Sequence, residues 1–261
     1  MILEFFSVTD TGRARRNNED AVALDEAGRI AVLADGMGGY NAGEVASQMA
    51  ADRVRNELVA RLRPLGEAPA ETELKSALLD AVESANRAVY DAAMNTAEYA
   101  GMGTTLVVAV YRAERLWLGH IGDSRAYRFR NGHLEQLTRD HSLLQEQIDA
   151  GLITAEQAAY SMHKNLVTRA VGVDELVELE IHDYPVEPGD LLLMCSDGLS
   201  DMLSDEQIAQ LLRSNDSLPA AGAMLVQAAN AAGGRDNIAV VLVRAKPGSG
   251  ALARSWWSFW R

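Results

Sequence analysis

The chain has 261 residues, 48% of them hydrophobic, which suits one large domain that buries roughly 70–75% of its unfolded surface. Its net charge of −13 argues against nucleic acid as the main ligand. The single cysteine, Cys195, excludes an internal disulfide and favours a reducing, cytoplasmic compartment, and no apolar run is long enough to span a membrane.

Apolar periodicity predicts alternating groups of strands and helices. Residues 1–6 are apolar but lack a basic leader and a cleavage site, so we expect a strand there rather than a signal peptide. A short loop between the first two helices predicts that they pack antiparallel. In chain order, the other predicted elements are strands 20–24 and 29–35, helices 42–63 and 72–97, strands 104–111, 115–121 and 124–130, a hairpin turn at Asn131-Gly132, a polar and helical insertion at about 142–168, strands 177–182 and 190–195, helices 205–213 and 217–231, and strand 238–245.

Four short acidic turns each place an aspartate beside Gly, Asn or Ser and next to an apolar strand. They are NNED at 17–20, ADGMGG at 34–39, SDGLSD at 196–201 and RDN at 235–237. A carboxylate at the end of a buried strand is costly unless a cation neutralises it. Four converging carboxylates would repel one another unless divalent ions lay between them. The pattern indicates an oxygen-ligand metal cluster, provided that the turns meet.

Local pairing can bring the first two turns together. In an antiparallel hairpin, pairing Leu24 with Ile30 or Arg29 places Asp20 roughly opposite Asp35. Both carboxylates then lie at the open end of the hairpin.

The other two turns depend on long-range pairing. The strand 190–195 ends just before Asp197, and Asp236 comes just before the strand at 238–245. If these strands are antiparallel neighbours, the two aspartates meet. That adjacency is an inference from pattern.

Six motifs, in order, resemble those of the metal-dependent serine/threonine phosphatases of the protein phosphatase 2C family. The resemblance extends from about residue 7 to 244, and the segment 137–170 is similar to the bacterial branch. The motifs are DTGRARRNNED (10–20), DGMGG (35–39), GMGTT (101–105), GHIGDSR (119–125), SDGL (196–199) and GRDN (234–237).

The resemblance implies an α+β fold, a four-layer α-β-β-α sandwich. In it, two mainly antiparallel sheets pack together and are flanked by antiparallel helix pairs; periodicity alone does not determine this layer order. It also implies one phosphatase domain at 1–246, with a flap insertion at about 142–168 beside the active site. A surface helical hairpin is the alternative interpretation of that insertion.

By the same resemblance, two Mn²⁺ or Mg²⁺ ions are held by four aspartates and a backbone carbonyl. Asp20, Asp35 and the Gly36 carbonyl bind one ion or bridge both, and Asp197 and Asp236 complete the second ion's ligands. Glu19 acts through bound water. A hydroxide bridging the ions attacks phosphorus in line and expels the serine or threonine alkoxide without a phosphoenzyme. The acidic oxygen donors, without a His or Cys cluster of zinc-site spacing, favour Mg²⁺ or Mn²⁺ over zinc.

Arg15 occupies the family position that grips the phosphoryl group. Its planar guanidinium can bond two phosphate oxygens and stabilise their charge in the transition state. Arg13 and Arg16 flank it in sequence, and a solvated arginine cluster is the alternative interpretation.

Asp123 and Asp201 match residues that hold a third, weaker metal with Asp197 in relatives. The alternatives are local: Asp123 could cap the tight turn at 122–124, and Asp201 could cap a helix.

Met37 stands where many eukaryotic members carry a histidine that acts as general acid. Methionine cannot supply the proton, so a metal-bound water is the expected substitute. His141 could instead orient the adjacent insertion, and for a single histidine a structural role is the safer interpretation.

The expected partners are phosphorylated proteins, among them a serine/threonine kinase and its substrates. Three of the four tryptophans lie in the tail 247–261, which suits docking to a protein or a membrane surface; a disordered end is the alternative. Competing functions remain open: a metal-dependent phosphodiesterase or nuclease, and a catalytically silent binding module. Cys195 cannot serve a Cys-x5-Arg tyrosine phosphatase, because Asp201 stands where the arginine is needed.

Overall fold

The structure is a computed structural model that describes residues 1–39, 42–154, 157 and 166–248. Its strands are β1 (Ile2–Asp10), β2 (Asp20–Asp25), β3 (Ile30–Met37), β4 (Gly103–Thr104), β5 (Leu106–Arg112), β6 (Arg115–Ile121), β7 (Arg125–Arg130), β8 (His133–Gln136), β9 (Glu180–Pro185), β10 (Leu191–Cys195) and β11 (Ile238–Lys246). Its helices are α1 (Ala42–Leu62), α2 (Glu71–Asn95), α3 (Leu143–Asp149), α4 (Asp197–Ser200), α5 (Asp205–Arg213) and α6 (Leu218–Ala231), with a 3₁₀ turn at Ala97–Tyr99.

The strands form two antiparallel sheets. One has the order β1-β11-β10-β7-β8, and the other has the order β2-β3-β5-β6-β9, with β4 also paired to β3. The prediction that the strands now called β10 and β11 are antiparallel neighbours is confirmed: Cys195 pairs with Val240. The turn at Asn131-Gly132 is also confirmed, since both residues have positive φ and Arg130 pairs with His133.

Three apolar layers separate four layers of secondary structure. Along β3, Ile30 and Val32 pack against α1 and α2, while the alternate residues Ala31 and Leu33 pack against the other sheet. A third core lies between the β1-β11-β10 sheet and helices α5 and α6, with Leu225 at 0% exposure. This arrangement is the predicted α-β-β-α sandwich.

The first two helices run antiparallel, as predicted. Arg61 near the end of α1 pairs with Asp80 of α2 at 2.8 Å, and Arg53, about two turns earlier in α1, bonds Ser84 of α2 at 2.8 Å. The residue number rises along one helix as it falls along the other.

Two local predictions are wrong in detail. Leu24 pairs with Ala31, not with Ile30 or Arg29, because β2 continues to Asp25 and the chain turns only at 26–29. The strand predicted at 177–182 is β9, which begins at Glu180. Its pairing with β6 begins at Glu180, which lies opposite His120.

The insertion is described only in part. Ser142 caps α3 by accepting a hydrogen bond from the Gln145 N–H at 3.3 Å. Residues 155–156 and 158–165 of the predicted flap, and 249–261 of the predicted tail, lie outside the described residues. Among the helices that are described, none has the length and apolar character needed to cross a bilayer.

Candidate metal centre

The four predicted aspartates lie at neighbouring strand ends of the two sheets. Asp20 begins β2 and pairs directly with Asp35 near the end of β3. Asp197 follows β10, and Asp236 lies two residues before β11. The Ser196 hydroxyl joins the two pairs by donating a 2.8 Å hydrogen bond to Asp20 Oδ2.

Electrostatics shows that these carboxylates share one site. Burial, followed by the charges of Asp20 and Asp197, raises the pKa of Asp35 well above its ordinary value. Burial and the charges of Asp123, Asp201 and Asp236 do the same for the pKa of Asp197. Each carboxylate therefore disfavours ionisation of its neighbours when no cation lies between them.

The residues fit divalent ions with oxygen ligands. Asp20 is only 8% exposed, and its Oδ1 atom is buried with no hydrogen-bond partner in the part of the chain that the structure describes. A buried carboxylate oxygen without a donor is costly unless a cation binds it. All the converging donors are hard oxygens, which suit Mg²⁺ or Mn²⁺.

Asn237 organises the loops around the centre, and sequence reasoning missed it. Its side chain is 4% exposed; Oδ1 accepts a hydrogen bond from the Glu19 N–H at 2.8 Å. Its amide group donates to the carbonyls of Thr11 and Asn17 at 3.0 and 2.9 Å. The sequence signal that could have identified Asn237 is its position directly after Asp236 in the GRDN motif.

Gly36 and Glu19 lie where α1 approaches the hairpin. The Gly36 N–H donates to the Glu19 carbonyl at 3.0 Å, and the Ser47 hydroxyl of α1 donates to the same carbonyl at 2.5 Å. A Cβ on Gly36 would lie 2.1 Å from the Gly43 carbonyl oxygen. Only glycine allows this contact between backbones.

Gly36→Ala is therefore expected to destabilise the protein by about 2–3 kcal/mol, because backbone must move to admit the methyl group. Thermal unfolding measures the loss. Gly39→Ala is the matched control, since no atom lies within 4 Å of its Cβ position. Equal melting temperatures for the two variants would contradict the close packing of α1 on β3.

Arg15 lies beside the carboxylate cluster, and its role in binding phosphate remains a prediction. Its Nη2 donates to Asp236 Oδ2 at 2.8 Å, and its side chain is 49% exposed. The guanidinium thus touches a predicted ligand, and about half of the side chain surface is open to solvent. Arg16 is also exposed, and the Arg13 N–H binds the Gly234 carbonyl at 2.7 Å.

Asp123 and Asp201 belong to the same cluster, since the charges of both raise the pKa of Asp197. Burial, then the charge of Asp140, raises the pKa of Asp123 to about 6, and Asp201 contributes further. Asp201 is exposed and follows α4 directly, with its N–H bonded to the Asp197 carbonyl at 2.8 Å. Their roles as ligands of a third metal remain a prediction.

Thr105 links Asp35 to Ser124, the residue that follows Asp123, and no role was predicted for it. Its hydroxyl accepts the Asp35 N–H at 3.0 Å and lies 2.8 Å from the Ser124 hydroxyl, next to Asp123. Thr105 is 2% exposed, so the link is buried.

A second group of possible ligand atoms lies outside the predicted centre. His120, His141 and Glu180 bring one nitrogen or oxygen each to within 4.8 Å of one another. Sequence reasoning singled out only His141, as a residue that could orient the insertion.

Known proteins are similar to this chain in sequence and in fold. The protein phosphatase 2C family model matches residues 11–242. The chain is 37% identical to the serine/threonine phosphatase stp of Listeria welshimeri over 245 residues, covering 90% of this chain and 93% of that one. The solved S. agalactiae serine/threonine phosphatase is 34% identical with a TM-score of 0.86, covering 94% of this chain and 100% of that one. The catalytic domain of PstP, solved in complex with two manganese ions, is 36% identical with a TM-score of 0.80, covering 94% and 99%.

The chain belongs to the protein phosphatase 2C family. It is a metal-dependent serine/threonine protein phosphatase, and the predicted family, fold class and enzyme class are confirmed.

Proposed function

We propose that this phosphatase removes phosphate from phosphoserine and phosphothreonine in proteins, with two Mn²⁺ or Mg²⁺ ions held by Asp20, Asp35, Asp197 and Asp236. The observation that carries the proposal is the convergence of these carboxylates around a buried Asp20 oxygen that has no donor in the described structure. When bound, such ions supply a water nucleophile of lowered pKa and positive charge for the transition state.

Two residues near the metal centre bear on how the substrate is bound and protonated. Arg15 can bond phosphate oxygens with the N–H groups that Asp236 does not use, and so hold phosphorus for in-line attack. Met37 ends β3 and carries no transferable proton, so the leaving oxygen takes its proton from water.

Cys195 does not serve as a nucleophile. It is 0% exposed, and burial raises the pKa of its thiol to about 12. A thiol that is inaccessible and protonated at neutral pH cannot attack phosphorus. A phosphocysteine intermediate at this residue is therefore excluded.

The finer assignments also belong to the proposal. The phosphoprotein partners would include a serine/threonine kinase and its substrates, in the cytoplasm, and nucleic acid is not a partner. Glu19 would act through water, the Gly36 carbonyl would be a ligand, and Asp123 and Asp201 would hold a third, weaker ion with Asp197. Docking through the tail 247–261 lies outside the described residues and stays a prediction.

The function is tested by Mn²⁺-dependent release of phosphate from a phosphothreonine peptide. Asp236→Ala is expected to lower release by on the order of 10³-fold, since it removes a metal ligand and the Arg15 partner together. Asp216→Ala, at an exposed aspartate, is the control and should leave release unchanged. No release by the wild type, or equal release by Asp236→Ala, would overturn the proposal.

A further inference from the structure

The peptide that precedes Asp123 is held by two buried histidines. The Gly122 carbonyl accepts hydrogen bonds from the backbone N–H of His141 at 2.8 Å and from the ring Nε2 of His120 at 2.9 Å. The Gly122 N–H donates to His141 Nδ1 at 3.2 Å. His120 and His141 are 3% and 8% exposed, and their rings are in contact, with centroids 4.3 Å apart and planes tilted by 37°. Two ring nitrogens and one backbone N–H of these histidines therefore hold the peptide that precedes Asp123.

The hydrogen bond from Gly122 determines the tautomer of His141. Because Nδ1 accepts a hydrogen bond from the Gly122 N–H, the ring's own proton lies on Nε2, which donates to Glu180 Oε2 at 3.0 Å. Burial opposes ionisation of Glu180, but hydrogen bonds from His182 and His141 outweigh it and lower the pKa of Glu180 to about 2. Glu180 is thus a carboxylate acceptor that orients His141.

The same tautomer argues against a zinc site at His120, His141 and Glu180. Two histidines and a glutamate are a common zinc ligand set. A zinc ion on His141 Nε2, however, would move the ring proton to Nδ1, where it would face the Gly122 N–H, donor against donor. The observed hydrogen bonds fit a positioning network instead.

His141 also joins the two ends of the insertion. Its carbonyl accepts the Thr168 N–H at 2.9 Å, and next to it Ser142 pairs with Val167 in an isolated bridge. One residue therefore contacts the Asp123 loop through its ring and the base of the insertion through its backbone.

We propose that His141, oriented by Glu180, is a positioning residue that holds Asp123 in place for an outer divalent ion and joins that site to the base of the insertion. The inference rests on the proposed function in taking Asp123 as an outer ligand. Removing a group that hydrogen-bonds a metal ligand directly costs about 10- to 100-fold in metal affinity, and since His141 bonds the neighbour of Asp123 rather than Asp123 itself, we expect the lower end of that range.

The test is a titration of the whole chain with Mn²⁺, in which the electron paramagnetic resonance signal measures the free Mn²⁺. Glu180→Ala should weaken the weakest binding step about 10-fold and leave the two tighter steps unchanged. Glu180→Gln should restore wild-type binding, because its amide oxygen can still accept from His141. Glu178→Ala, two residues earlier and exposed, is the matched control and should bind as the wild type does.

Asp123→Ala separates this inference from the function on which it rests. If it leaves all binding steps intact, there is no outer site at Asp123, and both the outer-site assignment and the inference are wrong. If it removes the weakest step while Glu180→Ala does not weaken that step, the positioning inference alone is wrong. Equal weakening by Glu180→Ala and Glu180→Gln would also contradict it, since only the first removes the acceptor.

Discussion

Asparagine in place of Asp35 should abolish phosphate release and, at the same time, stabilise the metal-free protein. Activity should fall by on the order of 10³-fold, because a ligand charge is lost. The metal-free protein should gain about 1–3 kcal/mol in its free energy of unfolding, because a carboxylate crowded by Asp20 and Asp197 is replaced by a neutral amide. Urea unfolding in the presence of a chelator measures the gain.

The raised pKa of Asp35 determines how this residue's contribution to the stability of the metal-free protein varies with pH. The pKa of Asp35 is raised in the folded chain, so between its ordinary value and the raised one the folded state binds more protons than the unfolded state. The contribution of Asp35 to the stability of the metal-free wild type therefore falls as pH rises from about 4 upward, the range that begins at the ordinary carboxyl pKa. Asp35→Asn should reduce that fall, and the exposed Asp216→Asn should not. A metal-free Asp35→Asn protein no more stable than the wild type at pH 8 would contradict the crowded-carboxylate interpretation.

Arg15→Ala should lower kcat/KM for a phosphothreonine peptide by about 10²- to 10³-fold, as expected when a group that stabilises transition-state charge is removed. Arg15→Lys should recover only part of the loss, because an ammonium group cannot bond two phosphate oxygens in one plane. Steady-state kinetics at saturating Mn²⁺ measures both effects.

Arg16→Ala is the matched control for Arg15. The two arginines are adjacent and both are exposed, but only Arg15 contacts Asp236. Arg16→Ala should change kcat/KM by less than about 2-fold, the usual size of a surface substitution effect. A comparable loss in both variants would indicate a general effect of positive charge rather than a phosphate contact.

The parts of the fold that depend on local pattern were predictable. Alternating apolar residues on both sides of one short turn placed Asp20 opposite Asp35, even though the predicted partner of Leu24 was wrong. Whether Asp197 and Asp236 come together depends on which strands are neighbours, and periodicity does not determine that. The sheet order confirms that β10 and β11 are adjacent.

The polar residues that support the site were not predictable from one sequence. Asn237 holds the backbone of Glu19 from 218 positions away, and Ser196 bonds Asp20 across 176 positions. A single serine or asparagine in a turn has a sufficient local explanation as a turn residue. Only the packed sheets show that these side chains join separate loops.

The most direct test of the account is anomalous diffraction at the manganese edge from crystals of this protein grown with Mn²⁺. We predict two strong peaks bounded by Asp20, Asp35, Asp197 and Asp236. Absence of manganese between these carboxylates, or its strongest peak at His120, His141 and Glu180 instead, would contradict the proposed centre.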